Sequence, residues 1–423
     1  METKRNVFLW TLYDFANSII SITFFLYFAQ WIVIDRGFTD LSFNLTLTAA
    51  AVLLLLTAPI SGVLLDRSLR RITGLRYATC TTALLYGLCG FFAVSNNEIA
   101  ALVFFTLGLY MYLLSFTFYT PLLHDIAPAH RRGRVSGLGI AANYAGQFLG
   151  LLVALPFATG KLSLFGGAPR AETLLPAVFL FLIFSLPMLL LFREPKRTAE
   201  RLSFPSTIHQ AFIQTKKLLS YSSVGFFLLA YFLFNDAIKT AANNFPLFLE
   251  QVWHVSDTTK TYILLGILIT SGLGGLVGGI IADRIGHKKT LTIILSVWVI
   301  LLPVVALLTN FILFVIAATL MGIWLGATWT VCRAVMAGIA PKGSHNLAFA
   351  YYGVAERASS LVGPVVWGLI VTNLISMGSV RYRIAVLAVT GFIILGIIAL
   401  SWVKEKGKET PPVSQSKPEK LRK

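Results

Sequence analysis

GVLLDR, residues 62–67, returns as GIIADR at residues 279–284. Each copy closes a long apolar stretch and opens onto a basic turn: Arg70 and Arg71 after the first, Gly286, His287, Lys288 and Lys289 after the second. The copies stand 217 residues apart, about half of the 423-residue chain. Two weaker echoes keep nearly the same spacing. Ile126-Ala127-Pro128 recurs as Ile339-Ala340-Pro341, and Asp14, inside an apolar stretch, has a counterpart in Asp236. Self-similarity at a fixed offset marks an internal repeat, so the chain reads as one unit written twice.

The unit is built for a membrane. Hydrophobic residues make up 56% of the chain, charged residues 13%, and the mean hydropathy is +0.77. Soluble domains are about 25% charged. A membrane-spanning helix needs about 20 mostly apolar residues. Twelve segments qualify, at roughly 7–34, 43–65, 74–95, 99–123, 136–159, 173–192, 223–249, 260–282, 290–309, 311–332, 346–373 and 382–403. The expected architecture is all-α, twelve transmembrane helices in two six-helix bundles, residues 1–192 and 223–403. Residues 193–222 form a charged linker, in which Ile208, Phe212, Leu218 and Leu219 fit one stripe of a surface helix; a flexible linker is the alternative. Residues 404–423, rich in Lys, Glu and Pro, read as a disordered tail. The first segment is too long for a signal-peptide core and is expected to stay in the mature protein.

The net charge of +17 is distributed by side. With the N-terminus placed in the cytoplasm, 27 Lys and Arg fall on the cytoplasmic side, 6 fall outside, and Lys239 and Arg357 lie within segments. That asymmetry is the positive-inside pattern with both termini cytoplasmic. The excess charge reports topology and attraction to anionic headgroups rather than nucleic acid. Cys80, Cys89 and Cys332 lie in apolar segments and read as packing residues, with no disulfide framework. No nucleophile elbow, metal-spaced His/Cys cluster or phosphate-binding loop occurs. The chain is therefore read as neither an enzyme nor a cofactor or metal protein, and its energy source is an ion gradient or plain facilitated diffusion.

A charged side chain in the bilayer centre costs about 2.5–3.5 kcal/mol on insertion scales, so the positions of such residues carry information. Tyr13, Asp14 and Asn17 lie in the first segment; Asn143, Tyr144 and Gln147 in the fifth; Asn235, Asp236, Lys239, Asn243 and Asn244 in the seventh; Glu356 and Arg357 in the eleventh. Segments three, six, nine and twelve carry no Asp, Glu, Lys or Arg in their interiors. Polar groups have been kept off lipid. Asp14 and Asn17 are three apart, as are Asp236 and Lys239, so each pair shares a helix face. Asp236 and Lys239 can neutralise each other as a static pair, or open to take a zwitterion. Asp14 can bind and release a proton, or serve as a packing hydrogen bond.

Twelve helices in two halves, with G-x-x-x-D-R-x-G-x-K-K after the eighth, resemble the major facilitator superfamily. LYDFANS (12–18), FLLAYFLFNDA (227–237) and IAPAHRRGRVSGLG (126–139) resemble its autophagy-linked vacuolar effluxer-like branch over nearly the whole chain. The resemblance implies a secondary transporter working by alternating access, with its site between the halves, lined chiefly by helices one, four, seven and ten. Eukaryotic members of the branch export amino acids from the vacuole, and its bacterial members are mostly of unknown substrate. Amino acids are thus the favoured class; sugars, lysolipids and a non-transporting sensor are the alternatives. The partners so implied are a small-molecule substrate, protons and membrane lipids, for a monomer in the cell (inner) membrane if the source is bacterial. Tyr13, Asp14, Asn17, Asn143, Gln147, Asn235, Asp236, Lys239, Asn243, Glu356 and Arg357 are the substrate or coupling candidates. Lys239 and Glu356 depart from the branch's usual residues. Gly62, Asp66, Arg67, Gly279, Asp283 and Arg284 are gating candidates, because in the superfamily these loops hold the halves together in one state. Arg333, at the end of the tenth segment beside His124 and Asp125 of the fourth, joins them. Gly363-Pro364 predicts a break in helix eleven. SGLGGLVGG (271–279) and Gly146-x-x-x-Gly150 predict close helix crossings.

Overall fold

The computed structural model describes residues 2–67, 71–127, 132–194, 222–340 and 345–404. These residues are helical with short connections and contain no strand. The expected linker helix and almost all of the expected tail lie outside the described residues.

Helix is the solution hydrocarbon imposes, since every backbone N–H and C=O is then satisfied within one segment. The helices are α1 (Glu2–Thr23, extended through wider turns at Phe24–Phe28 and Trp31–Asp35), α2 (Asp40–Arg67), α3 (Arg71–Val94), α4 (Glu98–Tyr119), α5 (Arg132–Ala158) and α6 (Leu174–Leu191). The second half holds α7 (Ser222–Trp253), α8 (Asp257–Ile285), α9 (His287–Leu307), α10 (Phe311–Ile339), α11 and α12 (Val380–Ser401). Helix α11 is broken as the Gly-Pro pair predicts, into His345–Ala358 and Gly363–Asn373. Among the described residues eleven helices are long and apolar enough to cross a membrane, and the broken α11 is the twelfth segment. Local signals set the ends. Asn97, Ser256 and Asn310 accept hydrogen bonds from the amides three residues on, capping α4, α8 and α10. Gly286 alone turns α8 into α9 at φ +99°, a conformation that favours glycine.

Helix α1 packs on α5 and α6, and α3 on α4; in the second half α7 packs on α12 and α8 on α10. The predicted glycine crossings are present. A Cβ on Gly326 would stand 1.8 Å from the Ser271 carbonyl oxygen, and one on Gly274 1.9 Å from that of Ile323, so α8 and α10 cross backbone to backbone. Gly146 does the same for α5 against Phe15 of α1, at 2.2 Å. The halves meet along two seams, α2 against both pieces of α11 and α5 against α8.

Candidate functional site

The start of α1, the end of α12 and the turn at Gly286 lie at one end of the bundle, called here the terminal end; Lys288 of that turn donates to the Ser401 carbonyl at 3.1 Å. The opposite end is the far end. Between them, a polar chain runs from α1 to α5. Asn143 donates to the Asp14 carboxylate at 3.5 Å, and Gln147 donates to the Asn143 oxygen at 2.6 Å. Close packing supports the carboxylate, with Gly139 of α5 against it and against the ring of Trp10. Arg333 and Glu356, on α10 and α11 of the second half, lie within electrostatic range of Asp14. Tyr144, beside Asn143, faces Ser271 of α8 and is also in range of Arg333. The space between the halves is thus flanked by two carboxylates and one guanidinium. In range of Arg333 stand Tyr231 and Tyr352, stacked at 4.4 Å between ring centres.

This alters the sequence-based grouping of Arg333. Hydropathy ends the tenth segment at 332, which puts Arg333 in the gating turn. Helix α10 continues to Ile339, because the residues after the arginine are again apolar, and Arg333 sits inside the helix with the central polar group.

The break in α11 is organised by α7. Asp236 accepts from the amides of Val362 (3.1 Å) and Gly363 (2.8 Å), so it caps the second piece of α11, where a negative charge meets the positive end of the helix. Asn235 donates to the Ser359 hydroxyl at 2.7 Å and accepts from the Trp329 indole at 3.3 Å. Lys239 donates to the Glu356 carbonyl. It also stands within electrostatic range of Asp236, as the shared face predicts. The spacing did not reveal the amides of the broken helix, which take up the carboxylate oxygen.

The remaining candidates scatter. Tyr13 points into the first half, its hydroxyl 2.7 Å from that of Thr79 on α3. Asn17 is fully buried, and its side-chain amide has no hydrogen-bond partner among the described residues. Asn243 is half-buried, while its neighbour Asn244 makes a contact to the other half. Asp283 pairs with His287 at 3.3 Å on the surface, Gly279 lies along α10, and Arg284 is exposed. The surroundings of Gly62 and the side chains of Asp66, Arg67, His124 and Arg357 lie outside what is described.

Sequence reasoning missed the far end, where hydrogen bonds between the halves gather. Asn44 and Asn244 exchange two, at 3.0 and 2.9 Å. Tyr382 donates to Asp40 at 2.9 Å, and, deeper in the bundle at the break in α11, Thr48 donates to the Leu361 carbonyl at 3.2 Å. At the rim the Arg170 guanidinium reaches Asp35 of its own half at 2.8 Å, and Glu250 and Asp257 of the other at 2.7 and 3.0 Å. Lys260, fully buried, bonds Glu250, Asp257 and Gln30 of α1. Counting charges by loop gives Arg170 and Lys260 no role beyond topology. A signal was available: few cations occur on that side, and acids cluster at the ends of helices one, seven and eight.

A duplicated six-helix unit, a broken eleventh helix and a polar seam between the halves define a transporter of the major facilitator class. Residues 2–151 match that superfamily's profile, and residues 123–410 match the profile described as "Vacuole effluxer Atg22 like". The chain belongs to this Atg22-like family of multi-pass membrane transporters. It is 21% identical to the uncharacterized MFS-type transporter YxiO of Bacillus subtilis, over 92% of this chain and 94% of that one. It is 25% identical to the multi-drug resistance efflux pump PmrA homolog of Lactococcus lactis, over 93% and 94%. Autophagy-related protein 22 of Yarrowia lipolytica is 25% identical over 62% of this chain, which spans about half (49%) of that protein's length. Among solved structures, a bacterial homolog of the human lysosomal transporter Spinster, inward-facing and unoccupied, superposes with TM-score 0.72 at 12% identity, covering 95% of this chain and 96% of that one. The nucleoside transporter NupG does so with TM-score 0.70 at 12%, covering 96% and 100%.

Proposed function

We propose that this protein carries a small polar solute across the membrane by alternating access, with amino acids as the favoured class. The observation that carries the reading is the meeting of Asp14 and its Asn143–Gln147 chain on one half with Arg333 and Glu356 on the other. An α-amino acid presents an ammonium and a carboxylate. Asp14 or Glu356 suits the first and Arg333 the second, and Tyr231 and Tyr352 offer a neighbouring apolar wall. A proton taken up by Asp14 would change the charge balance facing Arg333, which makes Asp14 the coupling residue of this proposal. The positive-inside asymmetry supports both termini in the cytoplasm, so the far end faces outward. Its inter-half bonds form the closed gate, and release of the solute outward requires them to break. The turns at Asp66-Arg67 and Asp283-Arg284 are the gating elements at the terminal end.

The test is uptake of a mixed labelled amino-acid pool into proteoliposomes, with and without an inward proton gradient, for wild type and Asp14→Asn. Gradient-driven accumulation lost in the variant supports the proposal. Accumulation unchanged in the variant reduces Asp14 to packing. Absence of any accumulation removes amino acids and transfers the reading to other solutes or to sensing.

A further inference from the structure

The connection between α5 and α6 is built inside out. Glu172, fully buried, collects the Ser163 hydroxyl at 3.0 Å and the amides of Leu164 (2.8 Å), Phe165 (3.0 Å) and Gly167 (2.8 Å). The Gly167 backbone packs closely on Val94 at the end of α3. The polar atoms of the 161–167 loop are therefore turned inward onto one carboxylate. Its large apolar side chains are turned outward: Leu162 is 52% exposed, Leu164 65% and Phe165 53%. A loop standing in water arranges these groups the other way round, since exposed apolar area costs about 25 cal/mol per Å². The connection between α11 and α12, its counterpart in the second half, also exposes large apolar side chains, Ile375 (68%) and Met377 (50%), followed by Val380 (50%) at the start of α12.

We propose that the 161–167 loop is seated in the phospholipid leaflet at the far end, at the boundary between headgroups and acyl chains. Leu164 and Phe165 enter the acyl region, and Lys161, exposed beside them, stays at the phosphates. Three observations select lipid as the occupant. The loop links two membrane spans directly, so its height is that of the bilayer surface. Its apolar and cationic groups match the two layers found at that depth. Hydrogen bonds to Glu172 hold it in this presentation without help from a partner protein. The seat also bears on the far-end clamp, because Arg170 lies two residues from Glu172 on the same turn of helix.

The experiment measures depth and does not depend on transport. Phe165→Cys, Leu164→Cys and Lys161→Cys are made separately in a Cys80→Ser background, Cys89 and Cys332 being buried. Each is spin-labelled and placed in phosphatidylglycerol–phosphatidylcholine nanodiscs. Relaxation by oxygen, which partitions into lipid, is compared with relaxation by a water-soluble nickel chelate. The expected result is that oxygen dominates at 164 and 165 and the chelate dominates at 161. Chelate-dominated relaxation at all three positions places the loop in water and overturns the proposal. Elution of each variant at the wild-type position guards against misfolding, and Leu164→Cys and Phe165→Cys serve as independent reporters of one depth.

Discussion

Asn44 of α2 and Asn244 of α7 form a reciprocal amide pair, each donating to the other across the boundary between the halves at 3.0 and 2.9 Å. Each also returns a hydrogen to its own helix, Asn44 to the Asp40 carbonyl and Asn244 to that of Thr240, both at 2.9 Å. Both residues are fully buried, so neither amide has water as a substitute. Removing one partner leaves the other unsatisfied, at about 1–3 kcal/mol. Asn244→Ala is expected to move the population toward far-end-open molecules, seen as longer distances between spin labels on the two rims. Asn44→Ala should do the same, and the double variant should shift the population no further than either single change, because the two residues act as one contact and the double change leaves no orphaned amide.

Arg170 is the central cation of the rim. One guanidinium holds three carboxylates, two of them from the opposite half. Arg170→Ala leaves Lys260 to pair with Glu250 and Asp257, while Asp35 loses its bridge to them. The cluster is only partly buried, with side chains 9–30% exposed, so the loss falls below the range for a fully desolvated interfacial pair, about 2–5 kcal/mol. Rim distances are expected to lengthen and solute release to become poorly gated. Arg170→Lys keeps the charge but loses the planar fork, so it should fall between wild type and Arg170→Ala. An Arg170→Ala protein with wild-type rim distances would remove the clamp from the account.

Asp236 offers a clean separation of structure from coupling. Its oxygen caps the second piece of α11 through the amides of Val362 and Gly363. Asp236→Asn keeps an acceptor there, whereas Asp236→Ala loses both bonds, a capping loss of about 0.5–2 kcal/mol. If Asp236 only caps, Asn should melt and transport close to wild type while Ala loses thermal stability. Loss of gradient-driven uptake in a thermally normal Asp236→Asn would instead make it a coupling residue.

The α8–α10 crossing should tolerate no side chain at its centre. Gly326→Ala sets a carbon 1.8 Å from the Ser271 carbonyl oxygen, and this neighbour is backbone that cannot turn aside. Poor yield of monodisperse protein in detergent is the expected outcome. Gly272→Ala, on the facing helix with nothing within 4 Å of the added carbon, is the matched control and should purify like wild type.

Much of the candidate site was legible residue by residue and little of it pair by pair. The cost of polar groups in lipid singled out Asp14, Asn143, Gln147, Asp236 and Glu356 without reference to any coordinates. Spacing alone set Asp236 beside Lys239, but it could not show that the carboxylate also caps the break in α11. Helix ends read from hydropathy fall a few residues short. That error puts Arg333 in a turn and Lys260 at a loop, although Arg333 lies inside α10 and Lys260 is buried inside the rim.

The twelve spans, the duplication into halves, the break in α11 and the close glycine crossings can all be read along the chain. Each of these follows from local sums, of hydropathy over a helix length, of repeat spacing, or of side-chain size at one turn. That Asn44 meets Asn244, that one arginine gathers three carboxylates at the far end, and that Arg333 comes within range of Asp14 emerge in the packed bundle. Those contacts depend on the rotation and tilt of each helix against the other half. Many weak packing terms set that orientation together, and no single stretch of sequence encodes it.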